Sequence, residues 1–151
     1  MLDEFLNNEI IITVVIAWFI AQVLKTIIHA IVYKKIDLKR LMGDGGMPSC
    51  HSAVVSSCSL MIGLVEGFDS SLFALSLVTA IIVMHDASGV RLETGKQAMV
   101  IKDISQILEE LSHIHIDDEK LKEFVGHTHL QVFMGALLGI VVALISYSLM
   151  F

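Results

Sequence analysis

Three short stretches of this chain combine small, polar and ionisable residues in ways that suit the handling of a phosphate. The first is "GGMPSCHSA", residues 45 to 53. Gly45 and Gly46 permit backbone conformations and a close approach denied to other residues. Pro48 suits the first turn of a helix, and Ser49 or Ser52 can cap it. A helix N-terminus presents unpaired amide hydrogens and partial positive charge, which together make an anion site. His51, one turn in, would point at the bound anion. Taken alone, the stretch equally describes an ordinary capped membrane helix whose histidine is satisfied by a neighbouring carbonyl.

The second stretch, "MHDASGVRLETGKQA", holds His85, Asp86, Arg91 and Lys96. Asp86 lies near the end of an apolar run, where an ionised group is costly and usually paired. Arg91 offers a planar fork for a phosphate or for a carboxylate, so an Asp86–Arg91 ion pair and a phosphate clamp both fit. The third is "GHTHLQVFMGALLG", in which Thr128 and Gln131 have capping-box spacing and leave His127 just ahead of the helix. A fourth set is a stripe: Gln22, Lys25, Thr26, His29 and Tyr33 recur at spacings of three and four and share one helix face. Inside a bilayer such a face looks into the bundle or a wet cavity, although Lys25 could instead snorkel to the headgroups. Arg40 and Lys39 stand near the first stretch and could also clamp an anion. "HIHIDD" supplies His113, His115, Asp117 and Asp118, but reads better as a solvated turn capping a short helix over about Glu119 to Val125 than as a metal site.

The elements that must position these residues are membrane helices. Of 151 residues 55% are hydrophobic and only 17% charged, where a soluble domain carries about a quarter charged residues. Mean hydropathy is +0.77. Four runs approach the ~20 apolar residues a bilayer requires: about Ile10 to Tyr33, Ser49 to Val65, Ser71 to Gly89, and Leu130 to Phe151. No strand alternation or repeat is visible, so the expected fold is all-α, a polytopic helical bundle forming a single membrane-embedded domain over residues 1–151. Between the third and fourth spans, "AMVIKDISQILEEL" places Met99, Ile101, Ile104, Ile107, Leu108 and Leu111 on one face, an amphipathic helix on the membrane surface or against the bundle. Thr94 and Gln97 have capping-box spacing at its start. Gly63 with Gly67, and Gly135 with Gly139, form GxxxG pairs that allow close packing, within the bundle or in a homo-oligomer. Cys50 and Cys58 on one helix would lie roughly 12 Å apart, beyond disulfide reach.

Orientation follows the basic residues. Lys34, Lys35, Lys39 and Arg40 follow the first span, Arg91, Lys96, Lys102, Lys120 and Lys122 follow the third, and "EGFDSS" between the second and third has none. Both basic segments then face the cytoplasm, and all three polar stretches meet on that side. The expected location is an integral protein of the cell (plasma) membrane. A net charge of -6 argues against a nucleic-acid partner, which needs a basic face. The acidic "MLDEFLNNE" lacks the basic start of a signal peptide, so the first apolar run is expected to be retained.

Taken together, "GGMPSCHSA", "VMHDASGVR" with the following "GKQA", and "GHTHLQVFMGALLG" resemble the divergent type 2 phosphatidic-acid phosphatase family. These are membrane proteins distantly related to lipid phosphatases and vanadium haloperoxidases. The likeness extends to "AWFIAQVLK" and "EGFDSSLFAL", nearly the whole chain. In the wider superfamily a Pro-Ser-Gly-His motif supplies the histidine that protonates the leaving group; Pro48, Ser49 and His51 fit it, with Cys50 at the glycine position. A second motif, His-x-x-x-Asp-Val-x-x-Gly, supplies the nucleophilic histidine. His127, Val132 and Gly135 fit, with Gln131 at the aspartate position. The Ser-Arg pair expected ahead of that histidine is Lys120 and Leu121 here, and the motif containing Lys and Arg-Pro is not intact. Within the divergent family the resemblance would further place serine at Cys50, tyrosine at His85, arginine at Leu92, proline at His129 and glutamate at Gln131.

The resemblance implies a membrane phosphatase acting on a lipid phosphate monoester or diphosphate at the cytoplasmic face. His127 would attack phosphorus and form a phosphohistidine, and His51 would act as general acid. Ser49, the amides at Gly46, Arg91, and Lys25 or Arg40 would hold the non-bridging oxygens, with Asp86 and Gln131 in support. No metal or cofactor is expected, and the partners are the phosphorylated lipid and membrane lipids. The alternative is a non-catalytic lipid-phosphate binding or transport protein with a degenerate phosphatase pocket.

Overall fold

The computed structural model describes residues 7–34, 46–112 and 126–151. Helix α1 runs Glu9–Tyr33, with the Asn8 side chain accepting from the amides of Ile10 and Ile11 at 3.1 Å each. Glu9 in the first turn complements the helix dipole. Helix α2, Cys50–Glu66, is capped by Ser49, whose Oγ accepts from Ser52 N at 3.3 Å. Helix α3, Ser71–Ser88, is capped by Ser70, and Gly89 closes it by donating to His85 O and Asp86 O at 2.9 and 3.3 Å. Helix α4 spans Val90–Ser112 and α5 spans His129–Met150. Among the described residues there is no strand, and the all-α membrane bundle expected from composition is the fold observed.

The helices end within a residue of the four expected apolar runs, but only three of the expected spans are long and apolar enough to cross a membrane. By length and composition, Glu9–Tyr33, the stretch Ser71–Ser105 that contains α3, and His129–Met150 can each cross a bilayer. α2 is shorter, 17 residues, and nine of them are buried. The reason is its position: α2 packs against α1, α3 and α5. A helix surrounded by protein faces little lipid, so it can be rich in serine, alanine and glycine. α3 is the opposite case, with only Ala80 and Ala87 buried and Leu75, Val78, Ile81 and Ile82 more than half exposed.

Gly135 and Gly139 make the tightest seam. A Cβ at Gly135 would strike Ser49 O and lie 2.9 Å from Ser52 Cβ, and one at Gly139 would strike Ser56 Oγ and Ala53 O. The Ser56 hydroxyl, 2.6 Å from Ser52 O in its own helix, also lies 3.1 Å from Ala136 O across the seam. This pair therefore brings α5 onto α2 inside one chain. The other GxxxG pair works differently from the expectation. Gly67 is the C-cap of α2 at φ +97°, and Gly63 makes room for Phe68 and Phe73, whose rings meet edge to face at 5.1 Å.

α4 begins at Val90, ahead of the expected capping box: the Thr94 hydroxyl bonds Val90 O at 2.9 Å inside the helix and caps nothing. Its apolar face is exposed at Val100, Ile101, Ile104, Ile107, Leu108 and Leu111. Of the helices described, α4 touches only α3, so its apolar stripe does not pack on the bundle. The short helix expected over about Glu119 to Val125, the "HIHIDD" stretch, Lys39 and Arg40 lie outside the described residues.

Candidate functional site

The three polar stretches meet at one end of the bundle, and backbone hydrogen bonds tie them together. Ser49 N donates to Gln131 O at 3.0 Å, joining the N-terminus of α2 to the first turn of α5. His127 N donates to Ala87 O at 2.9 Å, joining the approach to α5 to the last turn of α3. Lys25, in the C-terminal half of α1, reaches Cys50 Sγ with its ammonium at 3.7 Å. Residues from positions 25, 49, 87 and 127 thus surround one locus.

His51 and His127 face each other there, their ring centroids 6.0 Å apart and their planes at 62°. His127 is 3% exposed and His51 half-buried. The orientation of the His127 ring is set by the capping box at the head of α5. Gln131 Oε1 accepts from Thr128 N at 3.1 Å, and Thr128 Oγ1 accepts from Gln131 N at 3.3 Å. A backbone N–H can only donate, so the Gln131 atom facing it is the carbonyl oxygen. The same oxygen lies 3.3 Å from His127 Nδ1. An oxygen that cannot donate requires the proton on Nδ1, which leaves Nε2 as the lone-pair nitrogen of the neutral ring. Gln131 thus fixes the His127 ring through a neutral oxygen and brings no charge to it.

Lys25 is 2% exposed. Its stem passes beneath Gly46, where an added Cβ would sit 3.2 Å from Lys25 Cγ and where φ is +90°. Gly46 is therefore needed for the loop to cross the lysine. Snorkelling to the headgroups is not what Lys25 does: the stripe expected on α1 turns inward at Gln22 and Lys25, both buried, while Tyr33 at its far end is exposed. One turn before Lys25, Gln22 Oε1 is buried with no hydrogen-bond partner among the described residues. Cys50 lies between this lysine and His51, its Sγ 4.0 Å from His51 Nδ1.

Ser49 is fully buried, and its Oγ accepts from both the amide and the hydroxyl of Ser52, the latter at 3.1 Å. It holds the helix start in place. Asp86 is half-buried in the last turn of α3, beside the Ala87 carbonyl that anchors His127. Arg91 is the second residue of α4, and its side chain lies outside those described. Lys96 is exposed and paired with Glu93 at 2.6 Å, away from the site. The Lys25–Cys50 contact was not anticipated from sequence. The stripe on α1 pointed Lys25 inward, but nothing local named its partner 25 positions away.

The model of the Divergent PAP2 family matches residues 6–142 of this chain. The chain belongs to the Divergent PAP2 family. Its matched region takes in every residue assigned above to the polar end of the bundle. It is also 40% identical over 151 residues to the uncharacterized membrane protein YuiD of Bacillus subtilis (strain 168), covering 94% of this chain and 96% of that one. No solved structure matches the chain. This Divergent PAP2 family member is accordingly a membrane protein, with three candidate spans and one shorter apolar helix among its described residues.

Proposed function

We propose that this protein is a membrane phosphatase that hydrolyses a lipid phosphate monoester or diphosphate through a phosphohistidine. The observation that carries the reading is the His51–His127 pair at 6.0 Å, with His127 held as the Nδ1–H tautomer. A nucleophile stands about 3–3.5 Å from its target and a general acid about 2.6–3.2 Å from the departing oxygen. Two imidazoles serving one phosphoryl group must stand far enough apart to hold it between them, and ring centroids at 6.0 Å leave that order of space.

In the first step His127 Nε2 attacks phosphorus, the N–P bond forms, and the bond to the leaving oxygen breaks as protonated His51 gives that oxygen its proton. In the second, water attacks phosphorus, the N–P bond breaks, and neutral His51 takes the proton from water, releasing inorganic phosphate. Lys25, Arg91, Arg40 and the amides of the first turn of α2 hold the non-bridging oxygens, where charge develops. Ser49 and Gly46 shape that turn and the loop above Lys25; Asp86 and Gln131 support from α3 and α5. The basic residues that follow α1 and α3 favour the cytoplasmic face of the cell membrane for this site.

Phosphate release by the purified protein from a panel of lipid phosphates tests the reading, with His127→Ala and His51→Ala alongside. Release that survives His127→Ala at the wild-type rate removes the proposed nucleophile. A second reading keeps the pocket without turnover, as a lipid-phosphate binding or transport protein. The neutral Gln131 behind His127 favours it, because an amide stabilises an imidazolium less than a carboxylate does. Its mark is wild-type protein that binds vanadate yet releases no phosphate.

A further inference from the structure

The seam between α2 and α5 is shut by Gly135 and Gly139, so a lipid cannot reach the histidines along it. Two other seams border α5 at the polar end. One, between α3 and α5, is a wide depression of about 400 Å³ whose lining includes His85, Ser88 and His129. The other, between α1 and α5, is a groove of about 270 Å³ lined entirely by apolar residues, among them Leu24, Ile28, Pro48, Leu137, Leu138 and Val141.

The α1/α5 groove adjoins the site across a single layer of side chains. Leu138 packs against the buried cluster of Ala21, Cys50 and Ala53, and Cys50 touches the Lys25 ammonium. In its walls, Leu24 immediately precedes Lys25 and Pro48 immediately precedes Ser49. From Leu137 to Val141 the groove follows α5 toward the middle of its apolar length, over a course that suits an extended hydrocarbon chain. Resting on the lipid-phosphate reading above, we infer that the α1/α5 groove receives one hydrocarbon chain of the phosphorylated lipid, which enters sideways from the bilayer and leaves its phosphate beside Lys25, His51 and His127. No polar group need be desolvated along such a path, whereas the α3/α5 depression carries histidines.

A long-chain lipid phosphate bearing a photoreactive diazirine at mid-chain tests this in protein reconstituted in lipid nanodiscs. Labelled residues are mapped by mass spectrometry with and without excess unlabelled lipid phosphate. The expected result is saturable labelling at Ile28, Leu137 and Val141. Leu138→Trp fills the groove and should reduce it about tenfold, the loss for excluding roughly two buried methylenes. Ile28→Trp, from the opposite wall, should do the same and guards against a misfolded single variant. Saturable labelling at Ile81 and Phe133 instead, or labelling spread over Leu75, Val78 and Ile82 that unlabelled lipid does not compete, overturns the inference. Phosphate release measured in the same samples reports on the phosphatase reading separately: groove labelling without release keeps the groove and sinks the enzyme, and release without groove labelling does the reverse.

Discussion

Gln131 Oε1 lies 3.3 Å from His127 Nδ1 while accepting the Thr128 amide at 3.1 Å. One side-chain oxygen therefore both closes the cap of α5 and selects the tautomer of the buried histidine. Local helix chemistry and candidate active-site chemistry are joined in a single contact, and its uncharged character can be changed by one substitution.

Gln131→Glu should preserve the capping box, since glutamate is equally suited to the third helical position. It adds a carboxylate behind the imidazole, and charge-assisted hydrogen bonds are roughly twice as strong as neutral ones. Phosphate release should rise about tenfold, while Gln131→Leu should reduce it by at least as much. Steady-state rates of the three forms decide the matter. A Gln131→Glu variant no faster than wild type would show that charge at this position is not limiting.

Lys25→Met tests the buried ammonium. Methionine keeps most of the stem under Gly46 and removes the charge beside Cys50. Removing one member of a buried charged contact is destabilising when its partner stays behind, so thermal stability in detergent is measured alongside to establish that the variant is folded. Vanadate affinity should fall about tenfold or more, the loss of one charge-assisted contact. Affinity unchanged in a folded variant would remove Lys25 from the anion site.

Gly135→Ala separates propensity from packing. In an unconstrained helix the change gains about 1 kcal/mol. Here the new methyl meets the Ser49 carbonyl, and overpacking of this kind costs about 3 kcal/mol. The unfolding midpoint should drop, and Gly139→Ala should behave alike because its methyl meets Ala53 O and Ser56 Oγ. A rise in stability for either would mean that the α2–α5 seam is looser than described.

Ser49→Ala should cost about 1 kcal/mol, the usual value of an N-cap. Its hydroxyl already serves the Ser52 amide and hydroxyl. Turnover at saturating substrate should therefore change less than stability does. A selective loss of rate, with the unfolding midpoint intact, would make Ser49 a direct ligand of the substrate.

Much of this architecture was legible in the chain. Long apolar runs reveal lipid-facing helices because the bilayer punishes every polar exception, and α1, α3 and α5 begin and end close to where their runs do. The Thr128–Gln131 box was readable because a cap is a local pattern. Thr94 matched the same pattern and failed, since Gly89 ends α3 and the chain re-enters helix at Val90 before Thr94 is reached. Gly63 and Gly67 matched GxxxG, yet spacing alone does not distinguish a packing face from a helix end, and Gly67 lies at the end. The convergence of polar stretches followed from alternating spans. Lys25 with Cys50, and Gly46 above the lysine stem, did not, because they depend on how far three helices lean together.

The central claim is that His127 carries the phosphoryl group. Rapid mixing of the protein with a lipid phosphate, an alkaline quench, and mass spectrometry of the peptide containing His127 test it most directly. The account predicts a base-stable, acid-labile phosphate on that histidine, absent from His127→Ala. Phosphate released at full rate with no such adduct, and equally by His127→Ala, would contradict it.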